Sequence, residues 1–151
     1  MDGSGEMTGD STRCVHSSLD PEVTTGSVHT PIFQTSTYVQ NDFADHLGYE
    51  YARGDNPTRN ALQRALAEME SPHQEAFGFC FGSGMAAITT ISQMLKQGDH
   101  VIACDDLYGG TVRLFDQIAS RFGIETSYSP LKGGDLGKLV RENSKILWLE
   151  S

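Results

Sequence analysis

The sequence predicts an α/β domain, built in three layers around a largely parallel sheet and preceded by an extended arm. Three observations predict it. From residue 57 onward, short apolar runs alternate with segments of helical periodicity. The junctions between them hold glycines and helix-capping residues. Residues 12–56, in contrast, carry few helical signals.

Residues 1–11, "MDGSGEMTGDS", are rich in Gly, Ser and acid and read as a disordered tail. Residues 12–56, with "GSVHTPIFQTSTYVQ" at their centre, read as extended or irregular. Such a stretch is long for a loop inside a compact domain, so it is expected to lie as an arm on another surface, such as that of a second subunit. "NPTRNALQRALAEMES" then opens a helix, with Asn56 as N-cap, Pro57 at the first helical position and Leu62, Leu66 and Met69 along one face. "AFGFCF", residues 76–81, is a short apolar strand candidate. "SGMAAITTISQML" resumes helical spacing through Met85, Ile88, Ile91 and Leu95, with Gly98 as a C-cap candidate. "HVIAC" is strand-like, and Thr111 can cap a helix that carries Leu114, Ile118 and Phe122 inward. "IETSYS" and "KILWLE" are further strand candidates around a short helical segment at Leu136–Val140. "KILWLES" has no closing helix after it and reads as a chain interrupted at a sheet edge.

Composition narrows the class of function. The formal net charge of -9 argues against a broad nucleic-acid or anionic-membrane surface, and no apolar run reaches membrane-spanning length. Cys14, Cys80 and Cys104 form no CxxC and no zinc spacing, so no metal site is expected. With no secretory or basic amphipathic leader in "MDGSGEMTGDST", they fit a reducing compartment, and a cytoplasmic protein is expected.

Three segments carry candidate chemistry. "FGSGMAA", residues 81–87, lies between a strand candidate and a helix, where the N–H groups of Gly84, Met85 and Ala86 can hold an anion. Ser83 can cap the helix or donate its hydroxyl, and Gly84 keeps a side chain out of an anion's way. The segment matches neither GxGxxG nor GxxxxGK[ST], and on its own it reads equally as a tight turn. In "YEYARGDNPTR", Tyr51 and Arg53 alternate on an extended stretch and can present a phenol and a guanidinium together to a phosphate. The alternative is a surface pair before a helix cap. In "DDLYGGTVRLF", Tyr108 follows a parallel strand at its carboxyl side, where ligands collect. It can stack on a flat ring or pack over the sheet edge, and Arg113 can face a substrate carboxylate or solvent.

Taken in order, "YEYARGDNPTRNALQRALAEME", "FGSGMAA", "QGDHVIACDDLYGGTVRLF" and "KILWLES" resemble the amino-terminal part of the cysteine/methionine-metabolism family of pyridoxal-phosphate enzymes. The resemblance runs from about Thr12 to Ser151, and family members are well over twice this length. It implies an incomplete fold-type I architecture, with residues 57–151 as the first part of the cofactor-binding domain. It also implies pyridoxal 5'-phosphate as cofactor, its phosphate held by the N–H groups of Gly84 and Met85, with Ser83 beside them as a further cofactor-binding candidate. Tyr108, the one catalytic candidate in this chain, would stack on the pyridine ring. Tyr51 and Arg53 would reach the phosphate of the neighbouring subunit, which accounts for the arm, and Arg113 would lie near the substrate. The resemblance likewise implies a homodimer or homotetramer, with that arm crossing between subunits.

The implied reaction is trans-sulfuration: γ-replacement or γ-elimination on a homoserine-derived or cystathionine-like amino acid, as in cystathionine γ-synthases and γ-lyases. Gly110 stands where methionine γ-lyases carry cysteine, and Gly-Gly follows Tyr108 where bacterial cystathionine β-lyases tend to carry Glu-Pro. Arg113 is usually lacking in O-acetylhomoserine sulfhydrylases. "VHSS" departs from the glycine that many relatives carry after the histidine. None of Lys96, Lys132, Lys138 and Lys145 sits in a Ser-x-Thr-Lys context, so the Schiff-base lysine and the ring-nitrogen aspartate are expected beyond residue 151. The 151-residue chain alone is therefore expected to be inactive. A non-catalytic remnant that keeps a phosphate-binding or dimerisation role is the rival reading.

Overall fold

The computed structural model describes residues 9–17, 20–130 and 136–150; most of the expected tail lies outside these residues. The chain divides into two compact units, residues 1–80 and 81–151.

The first unit opens with α1, Asp10–His16, where an extended arm and the end of a tail were expected. Asp10 stands in its first turn, Arg13 and His16 in its last, and Arg13 pairs with Asp10 at 3.3 Å. These charges complement the helix dipole. None of its residues supplies a buried apolar face, so periodicity had nothing to detect. Further along, β1 (Gln40–Asp42) and β2 (Asp45–His46) form a short antiparallel hairpin. Below it Tyr38 N–H donates to Glu50 O at 3.0 Å, and Ala52 N–H donates to Ser36 O at 2.8 Å. The arm is thus folded back on itself as a ribbon, closed by a Thr37–Tyr51 bridge.

Helix α2, Pro57–Glu70, begins as the sequence requires, with Asn56 Oδ1 accepting from Thr58 N–H at 2.9 Å and Arg59 N–H at 3.3 Å. The same cap fastens the arm: Asn56 Nδ2 donates to Phe33 O at 3.0 Å, and Thr58 Oγ1 donates to Pro31 O at 2.8 Å. Leu62, Leu66 and Met69 remain about half exposed, and Ala67 is the residue that α2 buries. Residues 76–81 belong to no strand, because among the described residues they find no sheet neighbour. Instead Gly78 lies directly on α2, where any side chain would run into the Gln63 carbonyl, and Cys80 N–H donates to Gln63 Oε1 at 2.9 Å.

The second unit is a parallel three-stranded sheet in the order β4–β3–β5, with β3 at His100–Cys104, β4 at Glu125–Ser129 and β5 at Ser144–Trp148. All three strands were legible as apolar or β-branched runs. Helix α3, Gly84–Ser92, stops well before Gly98. Thr90 and Ser92 turn their hydroxyls onto backbone carbonyls of the preceding turn, and i→i+3 turns follow at Met94 and Leu95. Gly98, at φ +87°, serves the turn into β3 rather than a helix end.

Helix α4, Gly109–Arg113, continues as a π turn over Leu114–Ile118 and a 3₁₀ turn to Phe122. It starts two residues before Thr111, so Thr111 is not its cap. The π turn inserts a residue and rotates the inward face. Leu114, Phe115 and Ala119 are buried, whereas Ile118 and Phe122 point outward. Phe115 and Ala119 close over Val101, Ala103 and Ile124, and the Phe115 ring meets Trp148 edge-on at 5.8 Å. At the amino edge of the sheet, buried His100 is held by Ser144 Oγ at 2.8 Å and Ser127 Oγ at 2.9 Å. Helix α5, Leu136–Leu139, precedes β5 as expected.

Candidate functional site

In the second unit, Ser83 takes an extended backbone and caps α3, its Oγ accepting from Ala86 N–H at 3.2 Å. Its carbonyl accepts from Ala86 and Ala87. The N–H groups of Gly84 and Met85, one step earlier, find no acceptor among the described residues. A Cβ on Gly84 would meet nothing within 4 Å, so there is room beside this first turn, at the positive end of the helix.

Tyr108 stands immediately before α4 and is 61% exposed. Gly110 is buried between it and α3: a side chain there would strike the Tyr108 ring and come within 2.8 Å of Met85 Sδ. The fold thus gathers the α3 opening, Met85 and Tyr108 around one glycine. Arg113, a turn later, is exposed, with Nη1 at 3.5 Å from where a Cβ on Gly109 would sit.

Glu150, just past β5, was not singled out from the sequence. Its Oε2 accepts from Tyr108 N–H at 2.7 Å, and its Oε1 accepts from Thr111 Oγ1 at 2.6 Å and Trp148 Nε1 at 2.9 Å. Burial alone would raise its pKa. The bonds from Thr111, Tyr108 and Trp148 outweigh burial and hold the carboxyl below the ordinary glutamate value. Thr111 is fully buried, so its hydroxyl is committed to this carboxylate.

In the first unit, Tyr51 and Arg53 do not alternate along an extended strand. Gly54 and Asp55 N–H both donate to Tyr51 O at 3.0 Å, which folds residues 51–55 into a turn. The two side chains still meet, with the Arg53 guanidinium 5.1 Å from the Tyr51 ring centre. Both are exposed. Arg59, also not singled out, grips the turn from α2: Nη1 donates to Ala52 O at 3.1 Å and Nη2 to Gly54 O at 2.7 Å.

The donor set fits a phosphorylated aromatic cofactor. Two free N–H groups at a helix start suit a phosphate, and an exposed phenol ring beside them suits a flat heterocycle. Among the described residues no group of three or more His, Cys, Asp or Glu could hold a metal ion, and no helix is long and apolar enough to cross a membrane.

Comparison with known proteins agrees with this chemistry. A probable cystathionine γ-synthase of Herpetosiphon aurantiacus is 44% identical over 144 residues, covering 95% of this chain and 44% of that protein. A cystathionine β-lyase of Coxiella burnetii is 44% identical over 143 residues, covering 93% of this chain and 36% of that protein. The crystal structure of cystathionine γ-lyase from yeast superposes with a TM-score of 0.84 at 39% identity, covering 97% of this chain and 36% of that one. The chain therefore spans less than half the length of these relatives. The family described as Cys/Met metabolism PLP-dependent enzyme matches residues 11–151, and the chain belongs to that family.

Proposed function

We propose that this sequence forms the phosphate-gripping and ring-stacking part of a pyridoxal 5'-phosphate site in a trans-sulfuration enzyme. The observation that carries the reading is the α3 opening: two N–H groups with no acceptor among the described residues stand beside an exposed tyrosine, in a chain of the pyridoxal-phosphate family. Gly84 and Met85 donate their N–H groups to phosphate oxygens, and the Ser83 hydroxyl, which only accepts from Ala86, adds a third donor. Tyr108 lays its ring against the pyridine and fixes the plane in which the substrate's bonds must align. When bound, the cofactor supplies an electron-withdrawing ring that stabilises charge at the amino acid's α-carbon. Tyr51 and Arg53 reach across to a partner's phosphate in a homodimer or homotetramer, and Arg113 receives the substrate carboxylate. None of the chain's four lysines is assigned to the cofactor aldehyde, so the 151 residues alone bind without turning substrate over.

The finer reading is γ-replacement or γ-elimination on a homoserine-derived or cystathionine-like amino acid, carried out in the cytoplasm. It rests on Gly110 and Arg113. Because a relative of equal identity is named a cystathionine β-lyase, the deciding assay must separate β- from γ-cleavage. The longest product of the encoding gene should bind pyridoxal phosphate with a visible absorption band. It should cleave cystathionine to cysteine and a four-carbon 2-oxo acid, or form cystathionine from an O-acylhomoserine and cysteine. Release of homocysteine and pyruvate instead would overturn the γ assignment, and no saturable cofactor binding would overturn the site. Tyr108→Ala should weaken both cofactor binding and turnover, and Tyr108→Phe should retain most of the binding.

A further inference from the structure

Tyr108 is the residue through which this chain meets the cofactor ring, yet it sits on a loop and exposes most of its surface. Something must hold it still before the ring arrives, because an unanchored loop residue loses backbone freedom on binding. Helix α4 supplies one restraint, since the Tyr108 carbonyl accepts from Thr111 N–H at 2.9 Å and Val112 N–H at 3.2 Å. The other restraint comes from the sheet. Glu150 Oε2 takes the Tyr108 N–H while Oε1 takes the Thr111 hydroxyl and the Trp148 indole.

Glu150 is itself tied down. Its N–H donates to Cys104 Sγ at 3.4 Å, at the end of the central strand β3, and Trp148 packs against the Phe115 core. Glu150 therefore joins the end of β3, through its backbone N–H, and the end of β5 to both the residue before α4 and the buried third residue of that helix, through its carboxylate. A carboxylate is the group that suits this place: three N–H or O–H donors converge on it, and each needs a lone pair.

We propose that Glu150 is a positioning residue, which fixes the Tyr108 loop in its ring-accepting place without touching the cofactor. The inference rests on the cofactor reading above. Glutamine tests it sharply, because its single carbonyl oxygen can satisfy Thr111 and Trp148 only by turning its amide N–H₂ toward the Tyr108 N–H. That donor is then released.

The experiment uses the longest product of the encoding gene, with and without pyridoxal 5'-phosphate. Hydrogen–deuterium exchange is followed in peptides spanning 105–111 and 100–104, and cofactor affinity by equilibrium dialysis. For Glu150→Gln and Glu150→Ala, exchange at 105–111 in the cofactor-free protein should quicken while 100–104 keeps its protection. Cofactor Kd should rise roughly ten-fold, the loss expected of one charge-assisted bond. Thr111→Val should move both readouts in the same direction, and Thr111→Ser, which keeps the hydroxyl, should restore them. Wild-type exchange in both Glu150 variants would overturn the proposal, as would a loosened loop with unchanged cofactor Kd, which would make Glu150 merely structural. A wild-type protein that binds no cofactor would overturn the reading beneath it and the proposal with it, and is told apart by the wild-type titration alone. If Glu150→Ala does not fold, Glu150→Gln decides by the same criteria.

Discussion

Arg59→Lys is a demanding test of how the Tyr51–Arg53 turn is held, because it keeps the charge and alters only the geometry. The guanidinium spans two carbonyls, Ala52 O at 3.1 Å and Gly54 O at 2.7 Å, and its contact with Asp55 is a loose 3.8 Å. A lysine ammonium can reach one carbonyl but not fork between both. One charge-assisted hydrogen bond is worth about 1.5 kcal/mol at the low end, the end that applies to a side chain about one-third exposed. The Asp55 pair adds at most about 0.5 kcal/mol. If Arg53 must be held in place to grip phosphate, the lysine variant should lose roughly ten-fold in cofactor affinity. Arg59→Met, which keeps the stem but no donor, should lose up to roughly a hundred-fold. Equilibrium dialysis with pyridoxal phosphate measures both, and a double-mutant cycle with Arg53→Ala isolates the path. In the Arg53→Ala background the Arg59 effect should largely vanish. Equal cofactor affinity in Arg59→Lys, or an Arg59→Met effect that persists in full without Arg53, would refute the reasoning.

Gly78→Ala drives a Cβ into the Gln63 carbonyl on the α2 backbone, which cannot swing aside as a side chain would. Overpacking plus the strained Cys80–Gln63 bond should cost about 2–4 kcal/mol, read as a lowered urea midpoint. An unchanged midpoint would show that α2 and residues 76–80 are not locked together. His100 is held neutral by burial, with Arg141 adding to the effect and Glu125 opposing it, so its folded pKa lies below 6.5. Below pH 6.5 the unfolded chain then binds more protons, and stability should fall as pH drops from there until the folded group also protonates. His100→Gln should remove that slope in paired denaturation series; a slope that survives the substitution would assign it elsewhere. For the crossed arm, a mixed dimer with Arg53→Ala in one subunit and a disrupted Ser83–Ala87 loop in the other should keep about half the activity. A much deeper loss, with the mixed dimer verified, would place Arg53 at its own subunit's site.

Much of the fold was legible because β3 and β5 are short apolar runs and because α2 and α3 carry ordinary side-chain caps. Asn56 and Pro57 fixed the start of α2, and "HVIAC" fixed the buried central strand. Failures came where the pattern was right but the local geometry differed. The spacing Leu114, Ile118, Phe122 is faultless for an α-helix, but the π turn exchanges Ile118 for Phe115 and Ala119 on the inner face. Thr111 looked like a cap because a threonine before an apolar run usually is one, while its partner Glu150 lies 39 residues away. Residues 76–81 alternate as a strand should, with Phe77 and Phe79 left exposed. Alternation describes which way side chains point, whereas a strand also needs a neighbour to bond with.

The candidate site divides along the same line. Residues that would touch a ligand announce themselves locally, since a glycine at a helix start or a tyrosine after a strand has a recognisable setting. Ser83, Gly84, Met85 and Tyr108 were singled out as candidates that way, and the second unit gathers the last two around Gly110. Residues that hold these in place have no such signature. Arg59 reads as an ordinary surface charge early in a helix, and Glu150 as a polar stop after an apolar strand. Each becomes meaningful only when folding brings donors or acceptors to it from residues 52–54 or 108–111. A single sequence therefore reveals the groups offered to a cofactor more readily than the groups that keep them still. If the Glu150 and Arg59 substitutions weaken cofactor binding as much as Tyr108→Ala does, the affinity of this site lies as much in its scaffold as in its contacts.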